Sequence, residues 1–383
     1  MTWPRDDAKL DRVRALMADE GLDALVVRAP DNVLYLTNFW SMKGYDACVF
    51  PREGDPVLIC LEASAEDAAR SAWTPDVRYV RGYDESDPRP VPARTLEAAL
   101  STASGQVGLE LSLGTQATDR MVGEPTTFTR AWFDAWPNAA DAAPLLARAR
   151  MVKTRQEIAR LRIANEIAAQ AMHFVRRRIE PGMRESEAAA IWQGFVHGEG
   201  TGWQGKVDLA FGFSLVWAGR GIKTFTATSD RAIVEGEPVL FEIWVCADGY
   251  WADHTKNLVL GELTSEYAEL EEQLMAVYTD GYGYIHSHHS MAELDRFVRE
   301  RLADIGYPGQ PTHPICHGVG ARAHEPPYPH QAAGGEFEEN MVLAVEPGVY
   351  WAGGGGLRVE DNFLVTADGV EKLSAFPDGI VRC

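Results

Sequence analysis

The sequence predicts an α/β protein in two parts, and three observations carry that reading. Residues 1–145 alternate helical and strand-like patterns, residues 146–383 open on a long amphipathic helix, and that second part returns twice through β-hairpin signatures. At 383 residues with 46% hydrophobic side chains the chain can bury a large core.

In the first part Leu10, Val13, Leu16 and Met17 recur at helical spacing, and Gly21 leads into a strand from Leu22 to Val27. Further strands are expected over Asn32 to Leu36, Ala47 to Phe50, Val57 to Leu61 and Val107 to Leu109, with a helix over Ser64 to Trp73. Turn-forming residues fill Asp87 to Pro92.

The second part begins with a helix capped by Thr154, with Glu157 placed to complete a capping box, and stopped by Pro181-Gly182. The Arg176-Arg177-Arg178 run at its end complements the helix dipole rather than marking a nucleic-acid site. Two later helices are expected, Thr264 to Ile285 and Ser290 to Ile305, the second with Ser290 and Glu293 as a capping box and Gly306 closing it.

Charge narrows the function classes. Asp and Glu number 56 against 36 Lys and Arg, a net charge of −20 that repels phosphate backbones and anionic headgroups, so no nucleic-acid or membrane partner is expected. No apolar run reaches the roughly 18 residues of a membrane span, and the N-terminus lacks a signal-peptide pattern. Five scattered cysteines without CxxC spacing read as free thiols, so a cytoplasmic location is expected.

The chemistry lies in the two hairpins. Pro238 to Leu260 reads PVLFEIWV-CADG-YWADHTKNLVL; with Cys246 to Gly249 as a four-residue loop, Val245 pairs with Tyr250 and Glu242 stands opposite Asp253. Met341 to Val365 repeats the arrangement: a turn centred on Gly353, within the glycines Gly353 to Gly356, sets Glu346 opposite Glu360. One such pair could be a surface feature, but two matched pairs in a single pocket would require a divalent cation to offset their repulsion. His317 can complete the ligand set, and His324, seven residues on in HGVGARAHEPP, can contact substrate.

Other features carry less. His286, His288 and His289 are expected at an exposed helix end with splayed rings; His254, beside Asp253, should point to the opposite sheet face; His313 and His330 flank the HGVG segment.

These ordered motifs resemble the family of creatinase, prolidase, aminopeptidase P and methionine aminopeptidase, the pita-bread fold, and most of all its bacterial Xaa-Pro dipeptidases. The match runs through Glu242 and Asp253 followed by Thr255 and Lys256, His317 of H-G-x-G, His324 before Glu-Pro, Glu346 of E-P-G-x-Y, and Arg358 and Glu360 of R-x-E-D. The resemblance implies a creatinase-like N-terminal domain over residues 1–145, followed by a catalytic domain over 146–383 with a curved antiparallel sheet covered by helices. It implies two divalent ions, manganese foremost with zinc, cobalt or iron as alternatives, held by Glu242, Asp253, His317, Glu346 and Glu360. It further implies Glu346 as general base, His324 and Arg358 as substrate contacts, Thr255 supporting the ligands, a homodimer, and Trp40 and Tyr45 as lid residues over the site.

Two departures stand out. Glu242 replaces the usual Asp and Lys256 the usual Arg, which should shift the first metal position; and no histidine lies between His197 and His254, where relatives carry one. The expected activity is hydrolysis of short peptides, with proline after the scissile bond. The alternatives are a small amide, amidine or sulfonium substrate on the same scaffold, or a peptide-binding relative without catalysis.

Overall fold

The computed structural model describes residues 3–40, 45–82, 84–111, 126–223, 226–351 and 354–383. The chain divides into two compact units, Met1–Arg150 and Met151–Cys383. Among the described residues no helix is long and apolar enough to cross a membrane.

The first unit is built on a mixed six-stranded sheet. Its strands are β1 (Ala24–Val27), β2 (Ala47–Pro51), β3 (Val57–Leu61), β4 (Asp76–Val80), β5 (Val107–Leu109) and β6 (Ala140–Asp141), in the order β4-β3-β2-β1-β5-β6. The strand expected over Asn32 to Leu36 is instead part of a helix, Pro30–Thr37. Every residue of Val33 to Leu36 is buried, and a short run apolar on all sides carries no period that separates helix from strand. Two other features settle it: Pro30 opens the helix, and the Glu110 carboxylate accepts from the Arg28 and Ala29 N–H groups at 2.7 and 3.1 Å.

The second unit opens on the helix Arg155–Arg176. Its capping box is formed: the Glu157 N–H donates to Thr154 Oγ1 at 3.3 Å and the Thr154 N–H to Glu157 Oε2 at 3.0 Å. This helix and Glu185–Gly200 pack on a sheet of β7 (Ala210–Ala218), β8 (Pro238–Ala247), β9 (Tyr250–Val259) and β16 (Ile380–Arg382), ordered β16-β9-β8-β7. Gly212 has no side chain because the Trp192 indole lies against the strand there; a Cβ would sit 2.6 Å from the ring.

A second sheet has the order β10-β11-β14-β15, from β10 (Cys316–Gly318), β11 (Val342–Val345), β14 (Asp361–Thr366) and β15 (Gly369–Lys372). A two-stranded ribbon joins β12 (Gly348–Tyr350) to β13 (Gly356–Arg358). The helices Ser265–Tyr284 and Met291–Asp304 share one hydrophobic core with this sheet, through Leu274, Val298, Leu343 and Phe363. Ser290 stands at the N-cap of the second helix but its hydroxyl makes no capping bond, so the expected capping box is absent; Glu293 accepts from the Tyr284 hydroxyl at 2.9 Å instead.

The β8–β9 hairpin corrects the expected register. Its turn has two residues, Asp248 (φ 47°) and Gly249 (φ 85°), and Ala247, not Val245, pairs with Tyr250. Both turn residues take the left-handed conformation that Asp-Gly tolerates, and the Asp248 carboxylate is fixed by the Asp208 and Leu209 N–H groups, each at 3.0 Å. Glu242 is therefore opposite Thr255, and Asp253 opposite Trp244. A shift of two residues leaves every side chain on its expected face, so Glu242 and Asp253 remain neighbours, now diagonal.

Candidate metal centre

One face of the β7–β8–β9 sheet carries Phe213, Trp244 and Asp253 in one row and Leu215, Glu242 and Thr255 in the next. The second sheet meets it along a bridge between Thr255 and Glu360. In that sheet Val345 pairs with Asp361, and in the ribbon Gly348 pairs with Arg358, so Glu346 and Glu360 fall at opposed positions between them, as expected. Gly353, on which the turn was centred, lies outside the described residues. Gly354 to Gly356 all take positive φ.

The hairpins and β10 bring the acidic groups and imidazoles together. Ligand atoms within 4.8 Å of one another are offered by Asp253, His317 and His324, by His317, Glu346 and Glu360, and by Glu242, Asp253 and Glu360. His317 Nε2 stands 3.4 Å from Glu346 Oε1, 3.6 Å from Asp253 Oδ2 and 3.9 Å from Glu360 Oε1. His324 Nε2 is 3.5 Å from Asp253 Oδ2, and its ring lies 4.2 Å from that of His317.

The electrostatics ask for a cation. Burial, then Glu360 and Asp253, pushes the Glu346 carboxyl well above its ordinary range, and burial also raises Glu360. Burial lowers His317 to about 4, so it is neutral near pH 7. Its Nδ1 donates to the Gly318 carbonyl at 3.1 Å, an assignment that leaves the Nε2 lone pair facing three carboxylates, without a hydrogen-bond partner. Lone pair against carboxylate oxygens is repulsive, and a metal ion accepts from all of them. An Nδ1 held by a carbonyl is the usual orientation of a ligating histidine.

The surrounding groups were only partly legible. Thr255 Oγ1 donates to Glu360 Oε2 at 2.7 Å and accepts from Arg358 Nε at 2.7 Å. Arg358 is itself buried: it pairs with Glu242, and its Nη1 donates to the Tyr350 hydroxyl at 3.1 Å. Tyr350 is 3.0 Å from His313 Nε2, and His313 Nδ1 is 2.7 Å from the Pro314 carbonyl and 3.3 Å from Glu346 Oε2. His313 is neutral too, lowered to about 4 by burial. His330 is exposed. Asn362 clamps the backbone of Asp253, accepting its N–H at 3.1 Å and donating to its carbonyl at 2.8 Å. No motif named Asn362; its place two residues after Glu360, on the same face of a strand, was the available signal.

Lys256 lies away from the ligand cluster. Alternation places it with His254 on the opposite face, where Lys256 Nζ pairs with Asp361 Oδ2 and His254 Nδ1 lies 3.0 Å from Asp361 Oδ1. His286 and His289 are half-buried in a turn beyond the helix end, and their ring centroids are 3.3 Å apart rather than splayed. Trp40, half-buried, and Tyr45, exposed, belong to the first unit. All five cysteines are free.

Comparison with known proteins shows the family. Residues 159–367 match the model of metallopeptidase family M24, and residues 9–162 that of the creatinase/prolidase N-terminal domain. The chain belongs to metallopeptidase family M24 and is a metal-dependent peptide hydrolase with the pita-bread fold, preceded in sequence by a creatinase-type N-terminal domain. It is 26% identical over 379 residues to a Xaa-Pro dipeptidase of Lactobacillus delbrueckii subsp. lactis, covering 95% of this chain and 96% of that one. Among solved structures it is similar to the prolidase of Pyrococcus horikoshii OT3, with a TM-score of 0.79, 22% identity and coverage of 97% and 99%, and to the Xaa-Pro dipeptidase of Bacillus anthracis, with a TM-score of 0.80, 22% identity and coverage of 98% and 99%.

Proposed function

We propose that Glu242, Asp253, His317, Glu346 and Glu360 hold two divalent ions, manganese foremost, and that the site hydrolyses Xaa-Pro dipeptides or other short peptides. The observation that carries this reading is the neutral His317 whose Nε2 faces Asp253, Glu346 and Glu360 at 3.4 to 3.9 Å. Bound there, the ions supply Lewis acidity and acidify a water toward neutral pH.

The protein's own groups do the rest. Glu346, with its carboxyl raised by burial, takes the proton of the attacking water and returns it to the leaving amine. His324, neutral because burial lowers it well below its ordinary value, donates from an imidazole nitrogen to the substrate oxygen as charge develops there. Arg358 stays fixed behind Glu242 and Thr255 and orients the ligands rather than the substrate. The exposed Phe213 ring, stacked on Trp244 at 5.4 Å, offers an apolar wall beside Asp253 for a substrate side chain.

A homodimer in the cytoplasm is the setting we infer, from the resemblance and from the five free thiols. A small non-peptide amide is the second reading, favoured by the lack of any histidine between His197 and His254. Metal analysis of the purified protein, with hydrolysis of dipeptides and tripeptides bearing or lacking proline second, decides between them. Cleavage of Xaa-Pro dipeptides supports the first reading, and a metal-loaded protein inert toward every peptide refutes it.

A further inference from the structure

The segment carrying both imidazoles, His317 to Pro327, is folded back on itself. The Glu325 N–H donates to the Gly318 carbonyl at 2.9 Å, and the Gly318 N–H donates to the Pro327 carbonyl at 2.7 Å. The glycines of H-G-x-G follow from this closeness. A Cβ at Gly318 would lie 2.5 Å from the Pro326 carbonyl oxygen, and one at Gly320 would lie 2.1 Å from Glu325 Oε1. The Glu325 carboxylate is thus packed inside the loop, against the Cα of Gly320.

A carboxylate buried there needs a counter-charge, and Lys153 provides it. Lys153 Nζ donates to Glu325 Oε1 at 2.7 Å, with side-chain exposures of 0% and 2%. Lys153 comes from the segment just before the helix Arg155–Arg176. Its own N–H donates to the Asn340 carbonyl at 2.8 Å, and its neighbour Val152 pairs with Met341, immediately ahead of the strand that leads to Glu346. One lysine therefore ties the loop of His324 to the root of the Glu346 strand.

We propose that the Lys153–Glu325 ion pair is a positioning device for the reaction, holding His324 in register with the carboxylate cluster; this rests on the reading of His324 as the group that faces substrate. Replacing a buried ion pair by apolar side chains of similar volume is often neutral for stability, so a stability role alone would not require these charges. Between two separate strands and a loop that must agree within a few tenths of an ångström, a directional contact does what a greasy one cannot.

The test pairs Lys153→Met with Glu325→Met in one protein and compares unfolding, Mn²⁺ affinity by calorimetry, and kcat and KM on a cleaved dipeptide. Positioning predicts a cooperative fold, Mn²⁺ affinity within threefold of the parent, a KM nearly unchanged and kcat at least tenfold lower. Lys153→Arg, which keeps the charge, should recover most of that kcat relative to Lys153→Met. A double variant with parental kcat, or one that loses Mn²⁺ binding in step with kcat, overturns the proposal. Should the double variant not fold, Gly320→Ala decides, since it displaces the Glu325 carboxylate while keeping both charges: a fall in kcat at constant Mn²⁺ affinity supports positioning, and an unchanged kcat refutes it. If the parent protein cleaves no peptide, the peptidase reading fails separately. The imidazole ¹⁵N signals of His324, assigned with His324→Gln, then judge the proposal: a shift of His324 alone in the double variant supports it, and no shift overturns it.

Discussion

The Glu242 carboxylate is paired with the Arg358 guanidinium, so one of the four acidic groups of the cluster carries its own internal cation. Asp253, Glu346 and Glu360 face His317 instead. Burial raises Glu360 while Arg358 and the Thr255 hydroxyl lower it, so protein compensation falls on the Glu242–Glu360 side of the cluster, whereas the Glu346 carboxyl is raised by burial and by its neighbours Glu360 and Asp253.

Removing the guanidinium exposes that asymmetry. Arg358→Met leaves a largely buried Glu242 uncompensated, at a cost of about 3 kcal/mol to the metal-free protein. Mn²⁺ should restore part of this, so the rise in Tm on adding Mn²⁺ becomes larger than in the parent. Equal rises in both proteins would show that Arg358 is not a counter-ion to the site.

Metal binding should release protons, and the shifts say from where. Glu346 and Glu360 are raised, so they retain proton occupancy above the ordinary carboxylate range, whereas His313 and His317, lowered to about 4, are already deprotonated at pH 6 to 7. Calorimetric titration with Mn²⁺ at pH 6 in buffers of different ionisation enthalpy should report net release that diminishes as pH rises. No release at pH 6, or release that grows with pH, would overturn the assignment of the protons to the raised carboxyls.

Phe213 and Trp244 should set a preference for bulky apolar side chains. Phe213→Ala is expected to lower kcat/KM about fivefold for dipeptides with Phe or Leu first, roughly 1 kcal/mol of lost ring contact, and less than twofold for Ala first. A uniform loss across the panel would remove Phe213 from substrate recognition.

Asp361 anchors the face of the sheet away from the cluster. Burial pushes its carboxyl up, but Lys256 and the hydrogen bond with His254 outweigh this and hold it well below the usual range. A depressed carboxyl contributes stability that is complete above its unfolded value, near 4, and is lost as pH falls through the folded value. Asp361→Asn should therefore cost about 3 to 5 kcal/mol at pH 7 and progressively less below pH 4, with Mn²⁺ content unchanged. Denaturant unfolding at pH 7 and pH 3 checks the sign.

The site was legible because motif order survives a wrong local guess. The expected hairpin register pairs Glu242 with Asp253 and Glu346 with Glu360, His317 completes the set, and the resemblance supplies their role as ligands. The structure brings ligand atoms of these residues close together even though the β8–β9 turn has two residues rather than four. An even shift of register keeps each side chain on its face, which is why the error was harmless. Asn32 to Leu36 was misread for the opposite reason: uniform burial erases the pattern by which a helix is told from a strand.

By itself the sequence determined the residues that carry charge and imidazole, the hairpins that present them, and the capping of the helix at Thr154. Those depend on local spacing, which the chain states directly. Only the tertiary structure decided that Arg358 serves Glu242, that Lys256 turns away to Asp361, and that Lys153 meets Glu325 across 172 positions. Each of these partners is chosen by which buried charge is left without compensation once the sheets have closed, and no local pattern encodes that.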